Sequence, residues 1–274
     1  MSTRITSSAI ETFRTKVYRH FKLHKRSFSW RKTRNPYHIL VSEIMLQQTQ
    51  THRVEEKFTS FIACFPTVKS LADAPLKTVL TAWQGLGYNR RALFLHTAAQ
   101  EMMNRFGGSV PRTIEDLESL PGIGPATARS IAAYAYNLPV VFIETNIRAV
   151  FIHEFFSDCD EVSDDQIRPF LEKTIDRENP WKWYNALMDY GVMIKETYKN
   201  PGRRSAHYLR QTSFASSDRK IRGSIIKLLT EKGSLRREKL YELTGSNPMR
   251  VDRCLAALEH EGFLLCKAKS ICIA

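Results

Sequence analysis

The segment Leu120-Pro121-Gly122-Ile123-Gly124-Pro125-Ala126-Thr127-Ala128 decides the fold that we expect for this chain. It places two glycines in a tight turn directly before a helix rich in Ala, Ile and Tyr. Because glycine permits positive φ and close approach, the N–H groups at the start of the helix can meet an anion under a favourable dipole. The segment therefore predicts a phosphate-binding turn between two helices, with a simple helix connector as the alternative.

Apolar spacing predicts a helical body on both sides of this turn. From residue 8 to about 210, apolar residues recur mainly three and four positions apart, with Pro and Gly between the runs. Thr67, Ser70 and Thr113 stand where helix caps are expected. The expected helices span residues 8–23, 36–48, 51–64, 67–72, 76–83, 88–105, 113–118, 124–137, 144–156, 164–175 and 180–194. The pattern is that of an all-α protein.

A second unit is expected to begin near Ser216. Three amphipathic stretches precede two apolar runs, 262–266 and 270–273, which predict two strands around Lys267-Ala268-Lys269. Three helices and a hairpin resemble a winged helix, which either contacts DNA through its third helix or serves as a protein-interaction module.

Basic residues crowd the junction between the two units. They are Lys195, Lys199, Arg203, Arg204, Arg210, Arg219, Lys220 and Arg222, against only Glu196 and Asp218. Such a run is either a solvated linker or a strap that contacts phosphates. Arg203 and Arg204 are our candidates for phosphate contact.

The overall charge favours a polyanionic partner. The 274 residues carry 41 Lys and Arg against 28 Asp and Glu, a formal net charge of +13. Such a field attracts nucleic acid, and an anionic membrane surface is the alternative. We expect no membrane span, since no run of about 18 apolar residues occurs, and no signal peptide, since the start Met1-Ser2-Thr3-Arg4 lacks an apolar core. The five scattered cysteines form no CxxC pair and are expected to be buried free thiols.

Two glutamates are candidates for acid–base and electrostatic chemistry. Glu43 stands one turn from Leu40 and Gln47 in an otherwise apolar helix, where burial would raise the pKa of its carboxyl. Glu144 follows an apolar run and precedes a helix, and a plain helix cap is its alternative role. Two carboxylates in different environments suit cleavage of a glycosidic bond.

These segments together resemble the MutY and endonuclease III family of helix-hairpin-helix DNA glycosylases over roughly residues 8–195. The closest resemblance is to the MutY type, which removes adenine mispaired with 8-oxoguanine. The motifs that carry it, in order, are Trp30-Arg31, Pro36-Tyr37, Ser42-Glu43-Ile44-Met45-Leu46-Gln47-Gln48-Thr49-Gln50, Phe65-Pro66-Thr67, Gly85-Leu86-Gly87-Tyr88 and Leu187-Met188-Asp189-Tyr190-Gly191.

The resemblance implies a role for each matching residue. Glu43 would deliver a proton to the adenine ring, Glu144 would stand at the place of the catalytic aspartate, and Asn146 would orient that carboxylate. The pocket for the extruded base would comprise Trp30, Arg31, Leu46, Thr51, Ala126 and Asp189. The DNA-binding residues would be Gln48 and Tyr88, which fill or wedge the gap in the duplex, and Pro121, Gly122, Ile123, Gly124 and Thr127 of the hairpin.

The chain departs from this family pattern at four points. Glu144 replaces an aspartate, and Ala126 replaces the lysine of bifunctional lyases, which favours hydrolysis without a Schiff base. The four cysteines of an iron-sulfur cluster are replaced by Lys195, Gly202, Ser205 and Gln211, so we expect no cluster. The large C-terminal domain that reads 8-oxoguanine is also replaced, by the winged-helix-like tail. The resemblance leaves open a monovalent cation at the hairpin carbonyls.

The sequence thus predicts a two-lobed, all-α helix-hairpin-helix glycosylase fold with a winged-helix-like domain. One lobe would comprise residues 1–30 and 138–215 with Glu144, the other residues 31–137 with Glu43 and the hairpin, and the tail residues 216–274. We expect a monomeric, monofunctional glycosylase acting on mispaired adenine in duplex DNA, cytoplasmic or nucleoid-associated, with no metal and no membrane partner. The alternatives are excision of mismatched thymine, uracil or an alkylated purine, and a non-catalytic lesion-binding protein.

Overall fold

The structure is a computed structural model that describes residues 5–208, 217–267 and 270–274. The expectations for Arg210, Gln211, Ser216, Ala268 and Lys269 lie outside the described residues. Within them, the α-helices are α1 Ser7–His24, α2 Pro36–Leu46, α3 Thr51–Cys64, α4 Val68–Ala72, α5 Leu76–Trp83, α6 Arg90–Phe106, α7 Ile114–Glu118, α8 Pro125–Tyr136, α9 Thr145–Phe155, α10 Asp164–Thr174, α11 Pro180–Thr197, α12 Asp218–Lys232, α13 Arg237–Thr244 and α14 Pro248–His260. The predicted helical fold class is confirmed.

Side-chain caps fix several helix starts at the predicted residues. Thr67 Oγ1 accepts a hydrogen bond from the Ser70 N–H at 3.0 Å, and Ser70 Oγ accepts one from the Thr67 N–H at the same distance. Thr113 Oγ1 accepts from the Asp116 N–H at 3.2 Å. Each bond satisfies a backbone donor that has no partner within the first turn, and so defines where the helix begins.

The predicted helix boundaries lie within three residues of those observed, and two of the differences share one reason. We expected helices over 36–48 and 88–105, whereas α2 ends at Leu46 and α6 begins at Arg90. Gln48 and Tyr88 have φ of +53° and +47°, outside the right-handed helical region. Each residue therefore lies in a loop beside its helix. The 3₁₀ helix Ser29–Lys32 was not predicted.

The chain forms two compact units, and their boundaries differ from the predicted domains. Unit 1 comprises Met1–Ile39, Arg112–Glu118 and Gly124–Arg210, and unit 2 comprises Leu40–Pro111, Ser119–Ile123 and Gln211–Ala274. Helix α8 belongs to unit 1 because Ala133 on its buried face joins the core of that unit. The tail belongs to unit 2 because α12 packs against α5.

An aromatic cluster forms the core of unit 1. Phe13 on α1 makes edge-on contacts with Phe151 and Trp183 at ring centroid distances of 5.5 and 5.8 Å. Tyr184 packs on Phe142 at 4.1 Å and donates its hydroxyl to Val140 O at 2.7 Å. These contacts join α1, α9 and α11 with the extended segment that precedes α9.

Trp83 and Phe61 anchor the core of unit 2, with an edge-on ring contact at 5.8 Å. The indole Nε1 of Trp83 donates to Gly87 O at 3.1 Å, which ties the loop after α5 to the core. In the tail, strands β1 Leu264–Lys267 and β2 Ser270–Ile273 pair antiparallel after α14, as the predicted helices and hairpin require. The winged-helix class stays a prediction.

The five cysteines are free thiols, but the expectation that they are buried holds only for Cys254: Cys159, Cys266 and Cys272 are half-buried, and Cys64 is exposed. It is the last residue of α3, where Phe61 and Phe65 occupy the inward positions. Among the described helices, none has the length and apolar character needed to cross a membrane.

Candidate active site and DNA-binding surface

Glu144 lies at the junction of an extended segment and α9 in unit 1. It is the N-cap residue of α9, yet its side chain makes no capping hydrogen bond. Its Oε1 instead accepts a hydrogen bond from Asn146 Nδ2 at 3.2 Å. Glu144 therefore does not serve as a side-chain cap, which was the alternative, and the predicted pair of Glu144 and Asn146 is brought together.

Lys195 completes this network from α11. Its Nζ donates to Asn146 Oδ1 at 2.8 Å, while Met188 Sδ lies 3.7 Å from Asn146 Nδ2. Gly191 lets α11 approach this closely, because a Cβ at that position would lie 2.6 Å from Asn146 O. The sequence showed Lys195 only as a residue in a basic run and at an absent cluster position. Its spacing of seven residues from Met188 is the signal that would have placed both on one helix face.

Burial and charge act in opposite directions on these groups. Burial raises the pKa of Glu144, and the positive charge of Lys195, the hydrogen bonds from Asn146 and the charge of Arg148 lower it. Burial likewise lowers the pKa of Lys195, against the charge of Glu144. Arg148 is itself held by Asp164 through two bonds of 2.6 and 2.8 Å. A carboxylate with a raised pKa beside a half-buried lysine is typical of a functional site.

A second ionic cluster in unit 1 joins two of the predicted pocket residues. Arg31 Nη1 lies 3.0 and 2.9 Å from the two carboxylate oxygens of Asp189, and Arg26 Nε lies 2.6 Å from Oδ1. Asp189 is only 3% exposed, so its charge is neutralised by the two arginines. Trp30 is buried and stacks on Phe28 at 4.7 Å.

The remaining predicted pocket residues are distributed over both units. Ala126 in unit 1 is exposed in the first turn of α8. In unit 2, Leu46 is the last residue of α2 and Thr51 is the first of α3, and both are half-buried. Glu43 is half-buried on α2, between the buried Ser42 and Ile44.

Arg91 organises the loops of unit 2 that carry Gln48 and Tyr88. It lies 8% exposed on α6, and its guanidinium donates to the carbonyl oxygens of Ile44, Met45 and Gln47 at 2.8, 2.8 and 2.5 Å. These oxygens lie at the C-terminal end of α2, where the dipole favours a cation.

The same guanidinium reaches the second loop. Arg91 Nη2 donates to Thr49 Oγ1 at 2.8 Å and to Gly87 O at 3.2 Å, and the guanidinium lies 5.5 Å from the Tyr88 ring centroid. Burial lowers the pKa of Arg91 to about 10, so it remains charged at neutral pH. Sequence reasoning did not identify this residue. Its spacing from Leu95 and Met102 on the buried face of α6 was the available signal.

The glycine turn adopts the backbone that its sequence requires. Gly122 has φ +79°, and a Cβ there would lie 2.7 Å from Phe94 Cβ. Its carbonyl accepts from Gln47 Nε2 at 3.3 Å within unit 2. Gly124 is the N-cap of α8 and has no atom within 4 Å of an added Cβ. Pro121 and Thr127 are half-buried, and Ile123 is buried.

The two candidate phosphate contacts after α11 differ in surroundings. Arg203 is exposed. The guanidinium of Arg204 is turned onto the end of α9, where Nη1 donates to Phe156 O, Ser157 O and Cys159 O at 2.8, 2.8 and 2.7 Å. These carbonyl contacts account for the position of Arg204 Nη1, and the phosphate role of Arg203 and Arg204 stays a prediction.

The positions of the expected cluster ligands offer no thiolate. Lys195 is bound to Asn146, Gly202 has no side chain, and Ser205 is buried beside Val162. Across the described ranges, no three His, Cys, Asp or Glu side chains are grouped as a metal site requires. The donor set does not fit an iron-sulfur cluster.

Solved structures of DNA glycosylases have a similar fold. The chain resembles a thermostable thymine-DNA glycosylase with a TM-score of 0.61 and 22% identity, over 68% of this chain and 87% of that one. It resembles a trapped endonuclease III–DNA covalent intermediate with a TM-score of 0.59 and 19% identity, over 69% and 88%. These similarities establish the helix-hairpin-helix glycosylase fold alone.

Sequence comparison identifies the family. Residues 41–177 match the HhH-GPD superfamily of base excision DNA repair proteins. The chain is 31% identical over 259 residues to the adenine DNA glycosylase of Mycolicibacterium smegmatis, covering 88% of each chain. It is 35% identical over 181 residues to that of Buchnera aphidicola subsp. Baizongia pistaciae, but spans only 50% of that relative. The chain belongs to the HhH-GPD superfamily, as the sequence motifs predicted.

Proposed function

We propose that this protein is a monofunctional DNA glycosylase of base excision repair that hydrolyses the N-glycosidic bond of adenine mispaired with 8-oxoguanine or guanine. The names of the related adenine DNA glycosylases support the choice of base. The observation that carries the chemistry is the Glu144 carboxylate, which is held by Asn146 beside Lys195 and makes no cap to its own helix.

The reaction divides between the two glutamates. Glu43 donates a proton to the adenine ring, and the glycosidic bond breaks with its electron pair moving to the base. The sugar becomes an oxocarbenium-like cation, which the ionised Glu144 stabilises electrostatically. Water adds to the anomeric carbon and loses a proton, so the products are free adenine and an abasic site. Ala126 supplies no amine, so no Schiff base forms there.

The remaining assignments describe how the duplex is held. We assign contact with the extruded base to Trp30, Arg31, Leu46, Thr51, Ala126 and Asp189, and filling of the gap left in the stack to Gln48 and Tyr88. The turn from Pro121 to Gly124 and Thr127 presents backbone amides to a phosphate. Flipping the base costs a few kcal/mol of stacking, which the inserted side chains offset.

The protein acts without an iron-sulfur cluster, because a lysine, a glycine and a buried serine stand where thiolates are required. We expect a monomer that acts on duplex DNA in the cytoplasm or on the nucleoid. Purified protein should contain no stoichiometric iron or sulfide, and a stoichiometric content of both would overturn this part of the proposal.

Single-turnover cleavage of a panel of duplexes, each with one mispair or lesion, tests the function. Alkali added afterwards cuts the strand at abasic sites. The wild type is compared with Glu43→Gln, Glu144→Gln and, as a control, Glu56→Gln on the exposed face of α3. We expect adenine release that the first two substitutions abolish and the third preserves.

Each other result changes the proposal in a defined way. Release of thymine, uracil or an alkylated purine would retain the mechanism and reassign the pocket. Tight duplex binding with no base released from any substrate would replace the enzyme with a lesion-binding protein.

A further inference from the structure

The tail packs onto the part of unit 2 that carries Tyr88. Gln84 Nε2 donates to Thr230 Oγ1 on α12 at 2.6 Å. Glu261, which follows α14, lies 2.6 Å from Arg222 and 2.9 Å from Arg90. Within unit 2, the tail is therefore fixed beside the loop between α5 and α6 by hydrogen bonds as well as by helix packing.

Arg219, in the first turn of α12, contacts Tyr88 directly. Its Nη1 donates to the Tyr88 hydroxyl at 3.3 Å. Tyr88 is 38% exposed and lies between this guanidinium and that of Arg91. The start of α12 thus lies within one side-chain length of Tyr88, the residue that the proposed function inserts into the gap left by the flipped base.

A small polar cavity lies at the start of the same helix, α12. Its volume is about 150 Å³, and its walls include Ser217, Lys220 and Ser224 from the start of α12, and Ser246 and Arg250 from the turn before α14 and its first residues. Hydroxyl and cationic donors of this kind complement the acceptor oxygens of a phosphate. The volume is sufficient for one phosphate group and its water.

The surface around the cavity keeps a net positive charge after the ion pairs within the tail are counted. Asp218 is the adjacent acid, and it lies 2.6 Å from Arg250 and 2.9 Å from Arg253. Lys220 is exposed at the cavity. Residues 217–274 carry twelve Lys and Arg against seven Asp and Glu. The surface therefore attracts a polyanion.

We propose that the cavity walled by Ser217, Lys220, Ser224, Ser246 and Arg250 binds a backbone phosphate of the duplex that Tyr88 enters. The inference rests on the proposed function for the role of Tyr88, and it gives the tail a defined place on DNA. Arg219 acts between the two as a positioning residue, because it joins the phosphate-binding turn of α12 to the Tyr88 hydroxyl. The partner is the phosphodiester backbone, so the site carries no base preference.

Charge reversal at Lys220 tests the site. We compare Lys220→Glu with Lys227→Glu, a matched change on the same helix at a lysine whose side chain is 64% exposed and outside the cavity. Duplex affinity of the full chain is measured over a series of salt concentrations, with or without a mispair. Lys220→Glu should weaken binding about tenfold and reduce the slope of log K against log salt by about one, whereas Lys227→Glu should change binding less than about twofold. Lys220→Arg should retain wild-type affinity.

The outcomes separate this site from the proposed function. Equal affinities and slopes for Lys220→Glu and Lys227→Glu would overturn the site, even if the wild type releases adenine. A selective effect of Lys220→Glu in a protein that releases no base would support the phosphate site and overturn the enzymatic function. Thermal unfolding of each variant verifies that affinity is compared among folded proteins.

Discussion

Lys195 Nζ donates a hydrogen bond of 2.8 Å to Asn146 Oδ1, and the same amide donates through Nδ2 to Glu144 at 3.2 Å. Lys195 on α11 is therefore connected to the Glu144 carboxylate at the start of α9 through the Asn146 amide. Both the oxygen and the nitrogen of that amide are hydrogen-bonded. Lys195, where the resemblance predicts a cluster cysteine, instead supplies a positive charge that lowers the pKa of Glu144. This substitution links the absence of cluster ligands to the chemistry of the site.

Replacing Lys195 with Met should shift the pH dependence of base release. Burial raises the pKa of Glu144 and Lys195 lowers it, so removing the lysine charge raises the pKa further. Because the proposed mechanism needs ionised Glu144, activity should be lost at a higher pH as the solution is acidified. Single-turnover rates at the acidic end of a pH series should fall about threefold to tenfold more than rates at its alkaline end.

Lys199→Met is the matched control for that measurement, since Lys199 is exposed on the same segment. Its pH–rate profile should overlay that of the wild type. A Lys195→Met profile reduced by the same factor at every pH would show that the lysine supports only the fold.

Arg91→Met should destabilise unit 2 and disorder both loops that it joins. Five hydrogen bonds of 2.5 to 3.2 Å from one buried guanidinium to backbone and hydroxyl oxygens would be lost, which should cost about 3 kcal/mol or more of unfolding free energy. Arg90→Met, which removes an exposed arginine from Glu261 and leaves that carboxylate paired with Arg222, should cost less than about 1 kcal/mol. Urea titrations monitored by tryptophan fluorescence measure both. Equal stability of the two variants would contradict the organising role of Arg91.

Gly124→Ala should weaken DNA binding without unfolding the protein. A Cβ at Gly124 meets no atom within 4 Å, so loss of a glycine N-cap should cost less than about 1 kcal/mol. The added methyl would obstruct close approach of a phosphate to the start of α8, and the duplex dissociation constant should rise several-fold. Unchanged affinity would favour the simple connector.

Gly122→Ala is the informative contrast at the neighbouring glycine. Its φ of +79° and the 2.7 Å approach to Phe94 Cβ impose strain, so folding itself should be impaired. Loss of DNA binding in Gly122→Ala would therefore be a consequence of impaired folding. Only Gly124→Ala tests the approach of a phosphate separately from folding.

Asp189→Asn should be strongly destabilising. The substitution leaves the guanidinium groups of Arg26 and Arg31 without their shared carboxylate, and a broken buried pair costs about 3 to 5 kcal/mol. Asp73→Asn, which breaks an exposed pair with Lys69, should cost less than about 1 kcal/mol. Calorimetric unfolding of both variants measures these costs. If Asp189 served only to contact substrate and did not stabilise the fold, Asp189→Asn would be as stable as the wild type.

Local sequence patterns predicted much of the secondary structure and the candidate residues. Apolar spacing located the helices of both units, and the caps at Thr67 and Thr113 lie at the residues expected. The glycine turn was predicted because Gly122 requires positive φ. The pair of Glu144 and Asn146 was also accessible, since two residues at a helix start are neighbours along the chain.

The tertiary structure alone decided the contacts between residues distant in sequence. In the sequence, Lys195 is one residue of a basic run. In the structure, α11 approaches α9 closely at Gly191, and the Lys195 ammonium therefore contacts Asn146. The sequence did not single out Arg91, and it did not show that the guanidinium groups of Arg91 and Arg204 contact carbonyl oxygens at the ends of helices. Periodicity records which face of a helix is buried, because that is a local property of the chain. Which buried donor meets which acceptor depends on how helices pack, and that is fixed only when the whole core forms.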